Sequence, residues 1–246
     1  MKNLYISGIT GRIGTLLANK VIEDDYFQLI GGISNKNNAH IGKDIGLLLS
    51  RDNIGAYIDS EYPDNPLIDI IVDFSSPEST LNLLDKYQAK KLPVLIGTTG
   101  FNNSQLATIK KISQELPILF APNTSAGIAI IKKILSDLGN LFPAESTINI
   151  SETHHTEKKD SPSGTAIAIK EVISKSFSDA EINTQSYRKG DNPGEHTISF
   201  NLDNEIIEIT HKALDRSLFV NGALLGARWL STQPPGLYSM VDIYSS

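Results

Sequence analysis

The start of the chain joins a strand pattern to a helix pattern through a glycine-spaced turn, which restricts the fold more than any other feature. Residues 3–7 favour a strand, and residues 12–23 carry apolar side chains at helical spacing. Between them stands Gly8-Ile-Thr-Gly11-Arg-Ile-Gly14. Glycines let backbone amides approach a pyrophosphate, and the dipole of the following helix attracts its charge. We interpret the turn as dinucleotide-binding, with a plain strand-to-helix turn as the alternative.

Strand and helix patterns continue to alternate through the first half of the chain. The segment at residues 68–74 is mostly apolar, as expected of a strand covered on both faces. Ser75-Ser-Pro77 is typical of a helix start, with a serine cap and a proline in the first turn. Repeated units of this kind predict an α/β fold, a Rossmann-like doubly wound parallel sheet with its ligands at the carboxyl ends of the strands. Further strands are predicted at residues 27–33, 93–96 and 118–121.

The pattern changes near Asn123. A long apolar helix at residues 128–141 precedes a predicted strand, a helix and a hairpin around Asp203-Asn204. This order predicts a second α+β domain that carries an open mixed sheet. A helical pattern returns at residues 219–230, and the tail at residues 238–244 is expected to dock on the first domain. We place the dinucleotide-binding domain at residues 1–126 and 216–246, and the substrate-binding and oligomerisation domain at residues 127–215.

Composition excludes several classes of protein. The 246 residues include no cysteine, 22 basic and 28 acidic side chains, giving a formal net charge of −6. The lack of cysteine excludes a disulfide scaffold, a thiolate metal site and a cysteine nucleophile, and it fits a reducing compartment. An acidic chain argues against nucleic-acid binding, and no segment reaches the roughly 18 apolar residues of a membrane span. We therefore expect a cytoplasmic protein without nucleic-acid or membrane partners.

The residues after the second strand bear on the choice of cofactor. An acid there usually holds the adenosine ribose of NAD, but this sequence has Ser34, Asn35 and Lys36. Lys36 could instead bind the 2′-phosphate of NADP, and a solvated loop lysine is the equal alternative. The cofactor is therefore expected to be NADPH or NADH.

Two adjacent histidines, His154 and His155, stand at the end of a predicted strand. Neighbouring strand residues point to opposite faces, so the two are expected to do different jobs. Lys158 adds a positive charge, and Ser163-Gly-Thr begins a helix with exposed backbone N–H groups. The combination predicts a site for an anion, most naturally a carboxylate, beside a histidine that acts as a general acid near neutral pH.

Two other interpretations of this segment stay open. It could be an exposed charged loop without a role. It could also hold a metal through His154, His155 and Glu157. The spacing matches no helical arrangement of two histidines and no cysteine can contribute, so we expect no metal.

The run E-x-H-H-x-x-K-x-D-x-P-S-G-T from Glu152 to Thr165 is one of several specific motifs in this chain. Others lie, in order, at residues 8–14, 72–77, 97–101, 121–127, 194–197, 209–213 and 216–223. Together they resemble the 4-hydroxy-tetrahydrodipicolinate reductase family, also called dihydrodipicolinate reductases, of the lysine and diaminopimelate pathway. The resemblance covers nearly the whole chain.

The resemblance implies that NADPH or NADH delivers hydride to a cyclic imine dicarboxylate derived from 4-hydroxy-tetrahydrodipicolinate, giving tetrahydrodipicolinate. It implies that His154 donates or accepts the proton and that Lys158 is a catalytic proton donor. Arg216 would help to shape the closed cleft. The implied substrate-binding residues are His155, Gly164, Thr165 and Thr99. The implied cofactor-binding residues are Gly8, Ile9, Thr10, Gly11, Arg12, Ile13, Ser34, Asn35, Lys36, Gly97, Thr98, Thr99, Ala121, Pro122, Asn123 and Thr124.

Three departures from the family pattern matter. Ser34-Asn35 replaces the usual acid and arginine, and Thr124 replaces a phenylalanine in the A-P-N-F-S loop. The stretch at residues 187–196 is shorter than the strand and loop that family members commonly carry in the sheet of their tetramers. We expect a homo-oligomer, a tetramer with a dimer as the alternative. Hinges for closure are expected near residues 123–127 and 213–216.

Two other functions are alternatives to the reductase. A non-enzymatic NAD(P)-sensing module explains the glycine turn but gives His154 and Lys158 no purpose. An amino-acid dehydrogenase with a related two-domain plan explains more, but it leaves the double histidine unexplained.

Overall fold

The computed structural model describes residues 1–141, 147–177 and 180–245, apart from the side chain of Asn140. The chain divides into two compact units. Unit 1 holds Met1–Thr124 and Phe219–Ile243, and unit 2 holds Ser125–Leu218. No helix among the described residues is both long and apolar enough to cross a membrane.

The described residues form strands and helices that alternate along most of the chain. The strands are β1 (Lys2–Ser7), β2 (Phe27–Ile33), β3 (Tyr57–Asp59), β4 (Ile70–Asp73), β5 (Val94–Ile96), β6 (Pro117–Phe120), β7 (Thr147–His154), β8 (Glu181–Arg188), β9 (Glu195–Asn201), β10 (Ile206–Lys212) and β11 (Gly236–Tyr238). The helices are α1 (Arg12–Ile22), α2 (Ile45–Leu48), α3 (Pro77–Tyr87), α4 (Asn103–Ile112), α5 (Ala126–Leu138), α6 (Gly164–Ser176) and α7 (Ser217–Leu230).

Unit 1 is built on a seven-stranded sheet in the order β11-β6-β5-β4-β1-β2-β3. Every pairing in it is parallel. The chain runs outward from β1 to β3 and then from β4 in the other direction, so the order reverses between β1 and β4. Ligands of doubly wound sheets bind at this reversal, at the carboxyl ends of the strands. The predicted Rossmann-like sheet is confirmed, and the chain's tail joins it as β11.

Local sequence explains why the helices of unit 1 begin where they do. Ser76 caps α3 by accepting a hydrogen bond from the Ser79 N–H, and Pro77 occupies the first turn, as predicted. Asn102 and Gln105 form a capping box at the start of α4. These caps fix the loops that follow β4 and β5, and those loops belong to the ligand-binding edge of the sheet.

Unit 2 contains a four-stranded mixed sheet in the order β10-β9-β7-β8. Strands β7 and β8 are parallel, whereas β9 pairs antiparallel with both β7 and β10. The hairpin that Asp203-Asn204 predicted joins β9 to β10, and the predicted mixed sheet is confirmed. Apolar residues of α5 and α6 pack on one face against Ile148, Ile150 and Ile198. The other face carries mainly polar side chains, because the strands alternate with a period of two.

Three of the described strands, β3, β8 and β11, were not predicted. Strand β3 has three residues, too few for a hydrophobic period to be visible. Strand β8 has the sequence EINTQSYR, in which polar residues dominate and half-buried positions alternate with exposed ones. An edge strand such as β8 buries little side-chain surface, so its sequence carries a weak strand signal.

Candidate active site

The glycine turn of unit 1 is held tightly against the ends of two strands. Gly8 has a φ of +81°, and a Cβ there would lie 2.4 Å from the Phe74 carbonyl oxygen. A Cβ on Gly14 would lie 2.1 Å from the carbonyl oxygen of Gly8. The Gly8 and Ile9 N–H groups donate to the Ile33 carbonyl oxygen. Only glycine fits at these two positions, so the backbone here can approach a ligand closely.

Helix α1 begins directly after this turn, with Gly11 at its N-cap. No side chain in the described part of the chain caps this helix, and its first turn has no acidic residue. The first N–H groups of a helix have no intrahelical acceptor, and the helix dipole makes this end attractive to anions. The turn therefore fits a pyrophosphate group.

A cavity of about 840 Å³ opens beside the turn, at the sheet's reversal point. Six of the residues expected to hold a cofactor line it: Gly8, Thr10, Gly11, Ser34, Asn35 and Lys36. The loops after β3 and β4 and the first turns of α3 complete the wall with residues that the sequence had not suggested: Ser60, Glu61, Tyr62, Phe74, Ser75, Ser76, Glu78, Ser79 and Asn82. The volume and the phosphate-binding turn together fit one half of a dinucleotide.

Polar groups at the end of β2 form one wall of this cavity. The hydroxyls of Thr10 and Ser34 share a hydrogen bond of 2.5 Å, and the Asn38 amide donates to Thr10 at 3.2 Å. Lys36 is an exposed member of the same wall. An acid nevertheless reaches the cavity, because Glu61 follows the neighbouring strand β3. Because strand β3 was not predicted, Glu61 could not be singled out from the sequence.

Other expected cofactor residues lie in loops that are locked by internal contacts. The Thr98 hydroxyl donates to Asp73 at 2.8 Å and accepts from the Ser75 N–H at 2.9 Å. A Cβ on Gly97 would lie 2.1 Å from the Phe74 ring. These contacts join the ends of β4 and β5, so Gly97 and Thr98 shape the edge of the sheet. Among the described residues that line the cavity, none comes from 97–99 or 121–124.

Thr124, which stands where the family usually has phenylalanine, is buried. Its hydroxyl donates to the Phe219 carbonyl oxygen at 2.7 Å, which anchors the chain beside α7. Thr99 and Pro122 are exposed, as are Arg12 and Arg216. Ile9 is fully buried. The side chain of Thr124 therefore supports the loop from within.

The core face of the unit 2 sheet changes from apolar to polar at one end. Along β7, Ile148 and Ile150 face the core and are followed on the same face by Glu152 and His154. Register pairs Glu152 with His196 of β9, and His196 with His211 of β10. The pairing therefore gathers three histidines and one carboxylate that are far apart in sequence.

Glu152 is the centre of this polar cluster and is completely buried. Its Oε1 accepts a hydrogen bond from the Ser163 N–H at 3.0 Å and lies 3.4 Å from the Arg188 guanidinium. Its Oε2 lies 3.3 Å from Nδ1 of His154 and 3.8 Å from Nε2 of His196. One carboxylate thus contacts strand β8, two histidines and the residue that precedes α6.

Burial and hydrogen bonding set the charges of the cluster. Burial by itself would raise the pKa of Glu152, but hydrogen bonds from Ser163 and Ser186 outweigh it and hold the pKa below its ordinary value. Burial lowers the pKa of His154, which Glu152 partly offsets, and it lowers the pKa of His196 to about 4. Near neutral pH the carboxylate is therefore ionised and both imidazoles are neutral.

Helix α6 begins beside this cluster, as the sequence predicted. The Ser163 hydroxyl caps it by accepting from the Ala166 N–H at 3.1 Å, and it lies 3.3 Å from Nε2 of His196. Gly164 is exposed and Thr165 is half-buried at its first turn. No acidic side chain stands in that turn, so the helix end keeps its attraction for an anion.

The loop between β7 and α6 carries the remaining predicted residues. The Lys158 ammonium donates to both carboxylate oxygens of Asp160 at 2.8 Å. Arg188 donates to the carbonyl oxygens of Lys158 and Asp160, which ties this loop to β8. His155 is half-buried. Arg188 had no predicted role, because only the pairing of β7 with β8 brings it here.

A metal ion is the other ligand that such a cluster suggests. Ligand atoms of Glu152, His154 and His196 lie within 4.8 Å of one another. The loop residues that the sequence paired with His154 are not part of this group. Bonds of about 2.1 Å to zinc would need ligand atoms about 3.4 Å apart, and the Arg188 guanidinium beside Glu152 opposes a second cation. The arrangement suits proton chemistry better.

The sequence matches known proteins over nearly its full length. The family model for the dihydrodipicolinate reductase N-terminus matches residues 2–124, and that for the C-terminus matches residues 127–244. The 4-hydroxy-tetrahydrodipicolinate reductase of Helicobacter hepaticus is 36% identical and covers 98% of this chain and 98% of its own length. That of Chromohalobacter salexigens is 34% identical over 99% of this chain and 98% of its own length.

Solved structures show how widely the fold is shared. Dipicolinate-bound dihydrodipicolinate reductase from Paenisporosarcina sp. TG-14 matches with a TM-score of 0.74 at 18% identity, over 97% of each chain. An amine dehydrogenase from Mycobacterium smegmatis reaches 0.72 at 8% identity, over 98% of this chain and 95% of its own. The fold by itself therefore does not select one reaction.

The cavity at the reversal point of the doubly wound sheet fits the class to which the sequence relatives belong, the nicotinamide-dependent oxidoreductases. The sequence relatives make the class specific. The chain belongs to the dihydrodipicolinate reductase family, whose members reduce a cyclic imine with NAD(P)H in lysine and diaminopimelate biosynthesis.

Proposed function

We propose that this chain reduces the cyclic imine dicarboxylate derived from 4-hydroxy-tetrahydrodipicolinate to tetrahydrodipicolinate, with His154 and Lys158 as the proton-transfer residues. The observation that carries the proposal is the cluster at the end of β7. There the buried carboxylate of Glu152 adjoins His154 and also accepts a hydrogen bond from the N–H of Ser163, the residue that caps α6. A general acid and an anion-binding helix end are thus part of one unit.

The cofactor residues fit their group. Gly8 and Gly14 have no room for a side chain, and α1 offers an uncapped end within the described residues. The turn would hold the pyrophosphate, and the wall formed by Thr10, Ser34 and Lys36 would hold the adenosine ribose. When bound, NADPH or NADH supplies the hydride, and the chain positions and polarises the substrate.

The substrate-site residues have two kinds of role, because some would bind the anionic carboxylate and others would transfer a proton. Gly164 and Thr165 at the start of α6, with His155, would bind a carboxylate of the substrate through N–H groups and the helix dipole. His154 would hold and transfer a proton at Nε2, because its Nδ1 faces Glu152. The reduction consumes one proton along with the hydride, and Lys158, after leaving Asp160, its partner at 2.8 Å, would deliver that proton together with His154. Thr99 would also bind the substrate, and Arg216 would help to shape the site.

Alanine substitutions test these roles. His154→Ala should lower kcat by about 10²- to 10⁴-fold, because proton transfer belongs to the transition state. Lys158→Ala should lower kcat/KM by at least about tenfold, whereas Lys159→Ala, its exposed neighbour, should change neither constant. The measurement is NAD(P)H absorbance with the aldolase product made in situ. Unchanged rates in both variants contradict the assignment, and no oxidation by the wild type with any substrate favours a sensor.

Assembly and location extend the proposal. The chain forms a homo-oligomer, a tetramer with a dimer as the alternative, and works in the cytoplasm. The outer face of the unit 2 sheet supports assembly, since it exposes Tyr187 and Ile206, and the lack of cysteine suits a reducing compartment. Light scattering would give the mass in solution, and a monomer would contradict the oligomer.

A further inference from the structure

We propose that Glu152 is the positioning residue for His154, fixing its tautomer and stabilising the imidazolium that forms during proton transfer. This inference rests on the proposed catalytic role of His154. The two residues are two positions apart on β7, so the strand's alternation puts both side chains on the core face. Glu152 Oε2 and His154 Nδ1 are 3.3 Å apart.

Each of these two atoms can supply the hydrogen-bond partner that the other lacks. Glu152 Oε2 and His154 Nδ1 are buried, and neither makes a well-aligned hydrogen bond within the described part of the chain. A buried donor or acceptor left unsatisfied costs about 1–3 kcal/mol. A small rotation of the imidazole would align its Nδ1–H with the carboxylate, so this tautomer satisfies both atoms. The alternative tautomer leaves two unprotonated acceptors facing each other.

Glu152 is itself held firmly enough to serve as a reference point. Its Oε1 accepts from the Ser163 N–H and adjoins the Arg188 guanidinium. Ser163 also caps α6, so the carboxylate joins His154 to the helix end that is proposed to bind the substrate. A fixed distance between the proton donor and the bound carboxylate is what positioning requires.

The arrangement determines which nitrogen reacts. With Nδ1–H directed at Glu152, the lone pair of His154 is on Nε2, where a proton is taken up and then given away. A buried carboxylate behind a histidine stabilises the imidazolium without itself becoming protonated. Gly194 keeps a side chain away from Nε2, because a Cβ there would lie 3.1 Å from that nitrogen, closer than Cβ contacts ordinarily come.

Several charged groups act on His154 besides Glu152, and each has a defined direction. Carboxylates favour the imidazolium and cations oppose it. From the loop come Lys158 and Asp160, from β8 comes Arg188, and from β9 comes the neutral His196. Burial already lowers the pKa of His154, so the opposing effect of Glu152 keeps proton uptake feasible.

Glu152→Gln removes the charge while its amide oxygen can still accept from Ser163. We expect kcat to fall by about 10- to 100-fold, with the substrate KM within about threefold of wild type. The alkaline limb of the kcat profile, on which the donor His154 loses its proton, should move to lower pH, because losing the carboxylate lowers the pKa of His154. The matched control is Glu157→Gln, an exposed loop residue that should change neither constant nor the profile.

A role confined to folding would lower Tm and leave kcat and the pH profile as in the wild type, which would overturn the inference. If Glu152→Gln fails to fold, ¹⁵N NMR of histidine in the wild-type chain decides, with His154 assigned from the His154→Ala spectrum. A proton on Nδ1 near neutral pH supports the inference, and a proton on Nε2 alone overturns it. A His154→Ala variant with unchanged kcat would refute the proposed function instead.

Discussion

Asp73 in unit 1 and Glu152 in unit 2 are both completely buried carboxylates near the end of a strand, but opposite kinds of partner hold the two. In unit 1, Asp73 accepts hydrogen bonds from the hydroxyls of Ser75, Thr80 and Thr98 at 2.5–2.8 Å. In unit 2, Glu152 adjoins a guanidinium and two imidazoles. Neutral donors only stabilise a buried charge, whereas titratable neighbours can also take up or release protons beside it. The difference separates a scaffold from a reaction centre.

The pKa values of the two carboxyls follow from their partners. Burial raises the pKa of Asp73 although its hydroxyl partners oppose this. Burial has the same direction at Glu152, but there the hydrogen bonds from Ser163 and Ser186 prevail and the pKa is lowered. Asp73 thus holds the ends of β4 and β5 at a cost in charge burial, while Glu152 is well stabilised as an anion.

The largest expected effect tests whether Asp73 is a scaffold. Asp73→Ala should lower the free energy of unfolding of unit 1 by about 3 kcal/mol, because three hydroxyls lose their acceptor. Asp73→Asn should cost about 1 kcal/mol or less, because an amide keeps one acceptor and removes the buried charge. Urea unfolding followed by Trp229 measures this, since the single tryptophan lies in unit 1.

The control is Asp85→Ala, an exposed position on α3, which should leave the unfolding curve unchanged. Equal losses for Asp73→Ala and Asp73→Asn would show that the charge of Asp73 matters, and the distinction between the two carboxylates would fail.

Local signals in the sequence account for what could be predicted. The glycine turn, the apolar run of β4 and the serine caps at Ser76 and Ser163 each depend on neighbouring residues alone, and all are present in the structure. The period of two in β7 could also have placed Glu152 beside His154, because Ile148 and Ile150 mark the buried face.

Cross-strand register could not be predicted from one sequence. His196 lies beside Glu152, and His211 beside His196, only because β9 and β10 pair in one particular alignment. Arg188 reaches Glu152 from β8, whose polar sequence did not predict a strand. Glu61 lines the cavity because it follows β3, a strand that the sequence pattern likewise did not predict. Residues that act through tertiary pairing carry no local pattern.

A smaller effect concerns stability against pH, and the two carboxyls should show opposite trends. The folded pKa of Asp73 lies above its ordinary value of 3.8, so lowering the pH through that folded pKa stabilises the wild type relative to Asp73→Asn. The folded pKa of Glu152 lies below 4.5, so its contribution is complete above 4.5 and is lost as the pH falls through the folded pKa.

Native-state hydrogen exchange measures each unit separately, on peptides from β4 and β7 at pH 7 and at a pH below 4.5. Relative to Asp73→Asn and Glu152→Gln, protection of the wild type should rise in β4 and fall in β7 as the pH drops. Parallel trends in both peptides would mean that the two carboxyls are held alike.

The smallest expected effect concerns whether a charged side chain of unit 1 contributes to cofactor binding. Lys36 is the only cation among the described residues that line the cavity, and it is exposed. Lys36→Ala should weaken NADPH binding by about two- to fivefold, as expected for a solvent-screened ion contact, and NADH binding less. Fluorescence titration measures both affinities, with Lys43→Ala, an exposed lysine outside the cavity wall, as the control. Equal losses for the two cofactors would remove Lys36 from recognition of the 2′-phosphate. Unit 1 would then hold its ligand through backbone and hydroxyl groups, and titratable chemistry would belong to unit 2.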